Sequence, residues 1–343
     1  MSALLRHRLT WPVLALVLLL LLNQLFRADF LSVRVQDGHL YGSLIDILRN
    51  GAPTILIALG MTLVIASRGI DLSVGAVAAI AGAVSCMYIY SSPEPASLQT
   101  AAIGVAIAVV AGLALGAWTG FLVSVIGIQP IIATLVLMTA GRGLAQLVTD
   151  GQIISVSNDS YQAIGAGYFL GLPISILIAA AAFGITGLLT RRTALGTLIE
   201  SVGINPVASR LAGVDARTIT WTVYVFSGLC AAVAGLMISS NVTAADANNA
   251  GLYIEMDAIL AVVIGGTSLA GGRYSLVGTL VGALIIQTLT TTVYTLGVPP
   301  ETTLVFKALV VIIVCLLQSS RARTLLSRRR RPVTEPSRPK VAA

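Results

Sequence analysis

Apolar runs long enough to cross a bilayer recur along the whole chain, separated by short polar breaks. A helix needs about 20 residues to cross ~30 Å of hydrocarbon. On that scale the pattern predicts ten spans, near 11–26, 50–67, 72–91, 101–126, 130–149, 173–190, 218–239, 257–270, 275–296 and 303–319. The two-residue alternation of membrane strands is not seen. The expected fold is therefore all-α: a polytopic transmembrane bundle over residues 1–320, then a basic tail, 321–343, expected to be disordered. Two places break the rhythm. The eighth run is short for a span and is interrupted by glycines in "IGGTSLAGG" (Ile264–Gly272). Irregular backbone at membrane depth survives only where protein or water covers it, so this stretch is expected in the interior, near a cavity. The other break is "ESVGINPVASRLAG" (Glu200–Gly213), a polar insert within the segment 191–217 between two spans.

The insert carries the marks of a short surface helix. Asn205 is a good N-cap and Pro206 suits the first helical position. Val207, Leu211 and Val214 recur on one face. Arg210 falls in the last turn, where a cation complements the helix dipole, and Gly213 is placed to end the helix in a left-handed conformation.

Composition agrees: 56% of residues are apolar and 10% charged, against about 25% charged in a soluble domain. Leu14–Leu22 resembles a signal-peptide core, but no small-residue cleavage site follows, so a retained first span is expected. Loop charge then orients the chain. With the N-terminus inside, the inner segments hold Arg6, Arg8, Arg68, Arg191, Arg192, Arg210, Arg217, Arg273 and eight tail cations; the outer ones hold Arg27, Arg34 and Arg49. Both termini are expected to be cytoplasmic. The tail run follows an apolar span directly and reads as a juxtamembrane anchor rather than a nucleic-acid patch. Cys86, Cys230 and Cys315 lie in apolar runs without metal-ligand spacing, so no metal site is expected.

Enzyme chemistry lacks its parts. The histidines, His7 and His39, stand apart from any nucleophile motif, and neither lysine, Lys307 nor Lys340, follows a P-loop pattern. Transport remains, and intramembrane charges are its usual pointers. These are Asp71, Arg142, Asp257 and Lys307. Plainer readings compete: Arg142 and Lys307 snorkelling to an interface, Asp257 capping the eighth helix, and Asp71 capping the third or pairing with Arg68. Asp71, Ser73, Asn241, Thr267 and Ser268 lie near helix breaks and are the candidate lining of a path for a neutral polar solute. Loop 150–172 has no basic residue and is expected outside, with Tyr161 and Tyr168 exposed; segment 240–256, with Asp246 and Glu255, has none either and is also expected outside.

Four stretches together resemble the ribose-type sugar permeases of bacterial ATP-binding cassette (ABC) importers. They are "GMTLVIASRGIDLSVGAVAAIAGAV" (Gly60–Val84), "QPIIATLVLMTAGRG" (Gln129–Gly143), "SVGINPVASRLAGV" (Ser201–Val214) and "DAILAVVIGGTSLAGGRYSLVGTLVGALII" (Asp257–Ile286). Tyr274 stands where that family usually has a small residue, and with "TLTTTVYTLGVPPE" (Thr288–Glu301) it looks more like the galactofuranose-type branch. The resemblance implies a multi-pass inner-membrane subunit importing a monosaccharide. It implies no cofactor in this chain, ATP on separate ABC ATPase subunits, a periplasmic sugar-binding protein and a second permease copy; loop 150–172, long and without basic residues, is the expected dock for the binding protein. Glu200, Gly203, Asn205, Pro206, Ala208, Arg210 and Gly213 would then form the coupling helix that meets the ATPase. Two other readings fit the residues: an ion-coupled secondary transporter using Asp71 and the broken eighth span, and a passive pore.

Overall fold

The computed structural model describes residues 9–36, 38–295, 297, 302, 304–309 and 312. Helices dominate: α1 (Thr10–Phe26), α2 (Ser43–Ala66), α3 (Val74–Ser91), α4 (Leu98–Phe121), α5 (Pro130–Val148), α6 (Asp159–Ala166), α7 (Ile174–Arg192), α8 (Leu195–Ile204), α9 (Pro206–Leu211), α10 (Ala216–Val242), α11 (Ile254–Ile264) and α12 (Leu276–Thr295). Seven elements among the described residues are long and apolar enough to cross a membrane: α2, α3, α4 with its π-helical extension to Ile126, α5, α7, α10 and α12. They match the second to seventh and the ninth predicted spans. The first, α1, has 17 residues. The eighth contracts to the 11 residues of α11, about 16 Å of helix, so it goes only part of the way across. The tenth lies mostly outside the described residues, of which 304–309 are helical; the tail 321–343 lies outside them altogether.

The share of each span that is buried separates centre from rim: 78% in α2, 72% in α3 and 67% in α10, against 17% in α7. α10 is the mast of the bundle, with α2, α3, α4 and α6 all packed on it. Small side chains make this possible. Gly104, Ala108, Gly112, Gly116 and Gly120 recur every fourth residue along the buried face of α4. This small-xxx-small stripe lets two membrane helices bring their backbones together. A Cβ added to Gly228 of α10 would overlap the Gly112 carbonyl oxygen and lie 2.8 Å from the Gly116 Cα. On other sides of the mast, one added at Gly60 of α2 would come within 2.9 Å of the Ser227 Cα, and one at Gly235 would overlap the Ala78 carbonyl oxygen of α3.

The two ends of the bundle differ. One gathers three short antiparallel pairs: β1 (Arg34–Gln36) with β2 (His39–Tyr41), β3 (Ile154–Ser155) with β6 (Ala244–Ala245), and β4 (Tyr168–Phe169) with β5 (Leu172–Pro173). The rings of His39 and Tyr168 meet there, 4.4 Å apart. Tyr161, expected to be exposed, is instead fully buried; its hydroxyl joins Ser85 of α3 (2.7 Å) and Ser239 of α10 (2.6 Å), so α6 is riveted into the bundle. The opposite end carries α8 and α9.

Replacing Gly228 by Leu is expected to abolish the folded, monodisperse permease, because backbone rather than a flexible side chain occupies the space; overpacking typically costs about 1–3 kcal/mol or more. Gly184→Leu on α7, where an added Cβ meets nothing within 4 Å, should be tolerated. Size-exclusion profiles and melting in detergent read both, and equal behaviour of the pair would refute the mast.

Candidate functional site

The joint at the α8–α9 end is built from α2 outward. At the end of α2 the chain turns through Arg68, whose φ of 68° places a long side chain in the left-handed region that non-glycine residues rarely occupy. From there its guanidinium spans two segments, donating to the Ile204 carbonyl (2.7 Å) at the C-terminus of α8 and to the Ala270 carbonyl (3.1 Å). A cation at a helix C-terminus answers carbonyls that have no partner within the helix. Gly272 N–H donates to the Ala66 carbonyl (2.8 Å), and Gly203 lies so close to the same carbonyl that no side chain fits. Three distant segments, around 66–68, 203–204 and 270–272, thus form one knot.

The insert Glu200–Gly213 holds the last turn of α8 and then, from the Asn205 cap and Pro206 that the sequence marks as a helix start, the separate helix α9. α8 ends at Ile204, and Asn205, extended at φ −156°, starts α9 with its side-chain oxygen accepting from Val207 and Ala208 N–H, each at 3.0 Å. The break occurs because Asn205 bonds forward while Pro206 offers no N–H to continue α8. Glu200 and Gly203 therefore belong to α8, whereas Pro206, Ala208 and Arg210 belong to α9. Gly213 follows at φ +85°, as its predicted role required. Ile204, Val207 and Leu211 are 59%, 65% and 86% exposed, and Ala208 lies exposed among them: an apolar stripe turned away from the chain. Asp215 then caps α10. The Thr218 hydroxyl (2.6 Å) and two backbone N–H groups donate to its carboxylate and hold its pKa below the usual value. Tyr274 packs over Gly196 of α8, where an added Cβ would come 3.0 Å from its hydroxyl; burial, the largest influence, raises its pKa.

The five candidate path residues do not converge. Asp71 and Ser73, each 2% exposed, lie together in the interior. Asp71 accepts from Ser73 N–H (3.1 Å), Ser73 Oγ (2.6 Å) and Ser227 Oγ of α10 (2.7 Å); it does not pair with Arg68. Asn241 sits near the β-paired end, accepting from Arg49 (2.8 Å). Thr267 is buried and Ser268 exposed, both just after α11.

Arg142 and Lys307 both find partners within the chain. Arg142 donates to the carbonyls of Ala250 (2.5 Å) and Gly251 (2.8 Å), clamping the turn before α11. Lys307 pairs with Asp257 at 2.7 Å, so Asp257 is an ion-pair partner rather than a cap, and α11 begins at Ile254 after Tyr253, which makes no side-chain cap. Glu255, placed outside by the charge count, is 6% exposed and faces Gly75 at the start of α3. Among the described residues no group of His, Cys, Asp and Glu could hold a metal.

The family model described as "Branched-chain amino acid transport system / permease component" matches residues 43–315. The chain belongs to this family. It is a transport subunit and not an enzyme. It is 48% identical over 326 residues, 94% of each chain, to the galactofuranose transporter permease protein YtfT of Escherichia coli (strain K12). It is 42% identical to the fructose import permease protein FruF of Bifidobacterium longum (strain NCC 2705), covering 96% of this chain and 92% of that one. It is 36% identical to the ribose import permease protein RbsC of Bacillus subtilis (strain 168), covering 91% and 92%. No solved structure matches.

Asp71→Ala leaves three buried donors unanswered, at about 1–3 kcal/mol per group, and should lower the melting temperature in detergent sharply. Asp71→Asn keeps an acceptor and, if the Ser227 hydroxyl turns round, should cost far less; equal losses would refute the acceptor role. Because the Asp215 pKa is depressed, its cap is fully present above the unfolded carboxylate value, near 3.9, and is lost as pH falls through the folded value. Coupled activity should therefore not vary between pH 6 and 8 on account of this cap (a pH range in which a free carboxylate stays ionised); an Asp215→Ala variant that creates or removes a pH dependence there would contradict this.

Proposed function

We propose that the chain is the inner-membrane permease of an ATP-driven importer for a monosaccharide, with galactofuranose-like sugars the leading class. ATP hydrolysis belongs to separate ABC ATPase subunits, cargo arrives from a periplasmic binding protein, and a second permease copy completes the path. Ten spans with both termini cytoplasmic place the α8–α9 end inside, in keeping with Arg68, Arg191, Arg192, Arg210, Arg217 and Arg273 gathered there. The observation that carries the reading is the outward apolar stripe of α9 on a rigid mount. A short helix fixed by Asn205 at its start, Gly213 at its end and the Arg68 knot behind it can transmit displacement, which a slack loop cannot. Glu200 and Gly203 serve as the mount; Asn205, Pro206, Ala208, Arg210 and Gly213 form the part that meets the ATPase.

The ion-coupled alternative draws on Asp71. It is weakened by Asp71 being almost wholly buried with three hydrogen bonds already made, since a coupling carboxylate must meet water and ions. A path through all five of Asp71, Ser73, Asn241, Thr267 and Ser268 is also weakly supported, because they occupy separate places; Thr267 and Ser268, beside the broken span, are its best remaining part.

Ala208→Asp puts a charge in the α9 stripe without touching the interior. The expected product inserts and melts normally but loses ATPase co-purification and uptake. Asn205→Ala, at about 1 kcal/mol of helix stability, should only weaken coupling. Normal uptake and retained ATPase in Ala208→Asp would sink the proposal and leave α9 a plain surface loop.

A further inference from the structure

An apolar cavity of ≈ 120 Å³ lies between α2, α7, α8 and α10, with Leu63, Leu189, Ile199, Val223 and Phe226 in its wall. Three threonines also line it, but their hydroxyls already have partners: Thr186 the Ala182 carbonyl (2.7 Å), Thr190 the Thr186 carbonyl (2.7 Å) and the Tyr274 side chain, and Thr222 the Thr218 carbonyl (2.8 Å). They turn methyl groups to the space. A cavity without polar partners does not hold water stably and takes an apolar occupant. Leu189 is 42% exposed and Thr222 is exposed as well, so the cavity opens between α7 and α10, two membrane spans, where the surrounding medium is lipid. Directly after Leu189 and Thr190, the last turn of α7 ends in Arg191 and Arg192, both exposed.

We infer that this cavity holds a segment of a few methylenes from one acyl chain of an anionic phospholipid, the rest of the chain running along the outer faces of α7 and α10 and its phosphate lying at Arg191 and Arg192. The chain supplies what the apolar wall requires, and the two guanidiniums supply what a phosphate requires at the level where a headgroup sits. The site would also tune the transporter. Leu195 and Ile199 in its wall belong to α8, which leads into α9; Ile219, Val223 and Phe226 belong to α10, which leads out of it. An occupant wedges both legs of the joint apart by a fixed amount. This regulatory part rests on α9 being the ATPase contact; lipid retention does not.

The test is native mass spectrometry of the full-length permease in detergent, titrated with dioleoyl phosphatidylglycerol or dioleoyl phosphatidylcholine, without ATPase or cargo. Wild type is expected to retain one phosphatidylglycerol per chain with roughly tenfold preference over phosphatidylcholine. Thr222→Trp, which places an indole in the mouth from an exposed position, should remove that retention while leaving the melting temperature unchanged. The double variant Arg191→Gln, Arg192→Gln should lose the preference for phosphatidylglycerol. Should Thr222→Trp fail to fold, Leu189→Trp blocks the mouth from the other side. Wild-type retention in the blocked variant, or equal retention of the two lipids by wild type, overturns the proposal. So does loss of a dimer with lipid retention intact, which would give the mouth to a second copy of the chain. In proteoliposomes with the ATPase, phosphatidylglycerol should raise coupled activity of wild type but not of Thr222→Trp. Retention without that difference would remove the regulatory part alone.

Discussion

The structure depends on how closely other helices approach α10. Apolar side chains cannot drive helix association in a medium as apolar as themselves, so contact must come from packing of backbone on backbone and from a few polar bridges. The residues at these contacts are accordingly the smallest: Gly112 and Gly116 against Gly228, Gly60 against Ser227, and Ala78 against Gly235. The same rule governs the broken span. Gly278 and Gly282 of α12 lie against Gly265, just after α11, and Ala261 within it so tightly that a Cβ at either would overlap backbone. A helix of 11 residues that goes only part-way needs such a neighbour, because its ends cannot reach water at both faces.

Polar groups inside the bundle act as fasteners at the same contacts. Asp71 ties the turn before α3 to α10 through Ser227, and Tyr161 ties α6 to α3 and α10. Thr62 of α2 meets Thr279 of α12 at 2.8 Å. Each bridge joins segments far apart in sequence and closes off polar atoms that lipid could not satisfy. The Arg68 knot does the same at the α8–α9 end, with the added consequence that α9 is mounted on α2 and on the segment after α11 together. The hydrogen bonds of the knot thereby connect the α8–α9 end to the segment after the broken span and, through the short turn from Arg68 to Asp71, to the mast.

The sequence by itself determined the class of the protein. Twenty-residue apolar runs, charge gathered mostly in loops and the missing parts of any enzyme led to a polytopic helical transporter, because hydrocarbon thickness acts on local composition alone. It also determined local devices whose partners lie within a few residues: the Asn205 cap, Pro206 after it, and Gly213 in its left-handed turn. What it could not determine was which distant residues meet. Glu255 and Tyr161 read as outer-loop residues, yet the chain turns back and buries both. The start of α9 was legible at Asn205, but the helix α8 before it, whose end is held by Arg68 donating to the Ile204 carbonyl, was not. Asp71 was legible as a buried charge, but whether it faced a path or a fastener turned on Ser227, 156 residues away. Only the tertiary structure decides such pairings, since a carboxylate's role follows from the donors that surround it, and those are brought together by the packing of glycines rather than by anything in its own neighbourhood.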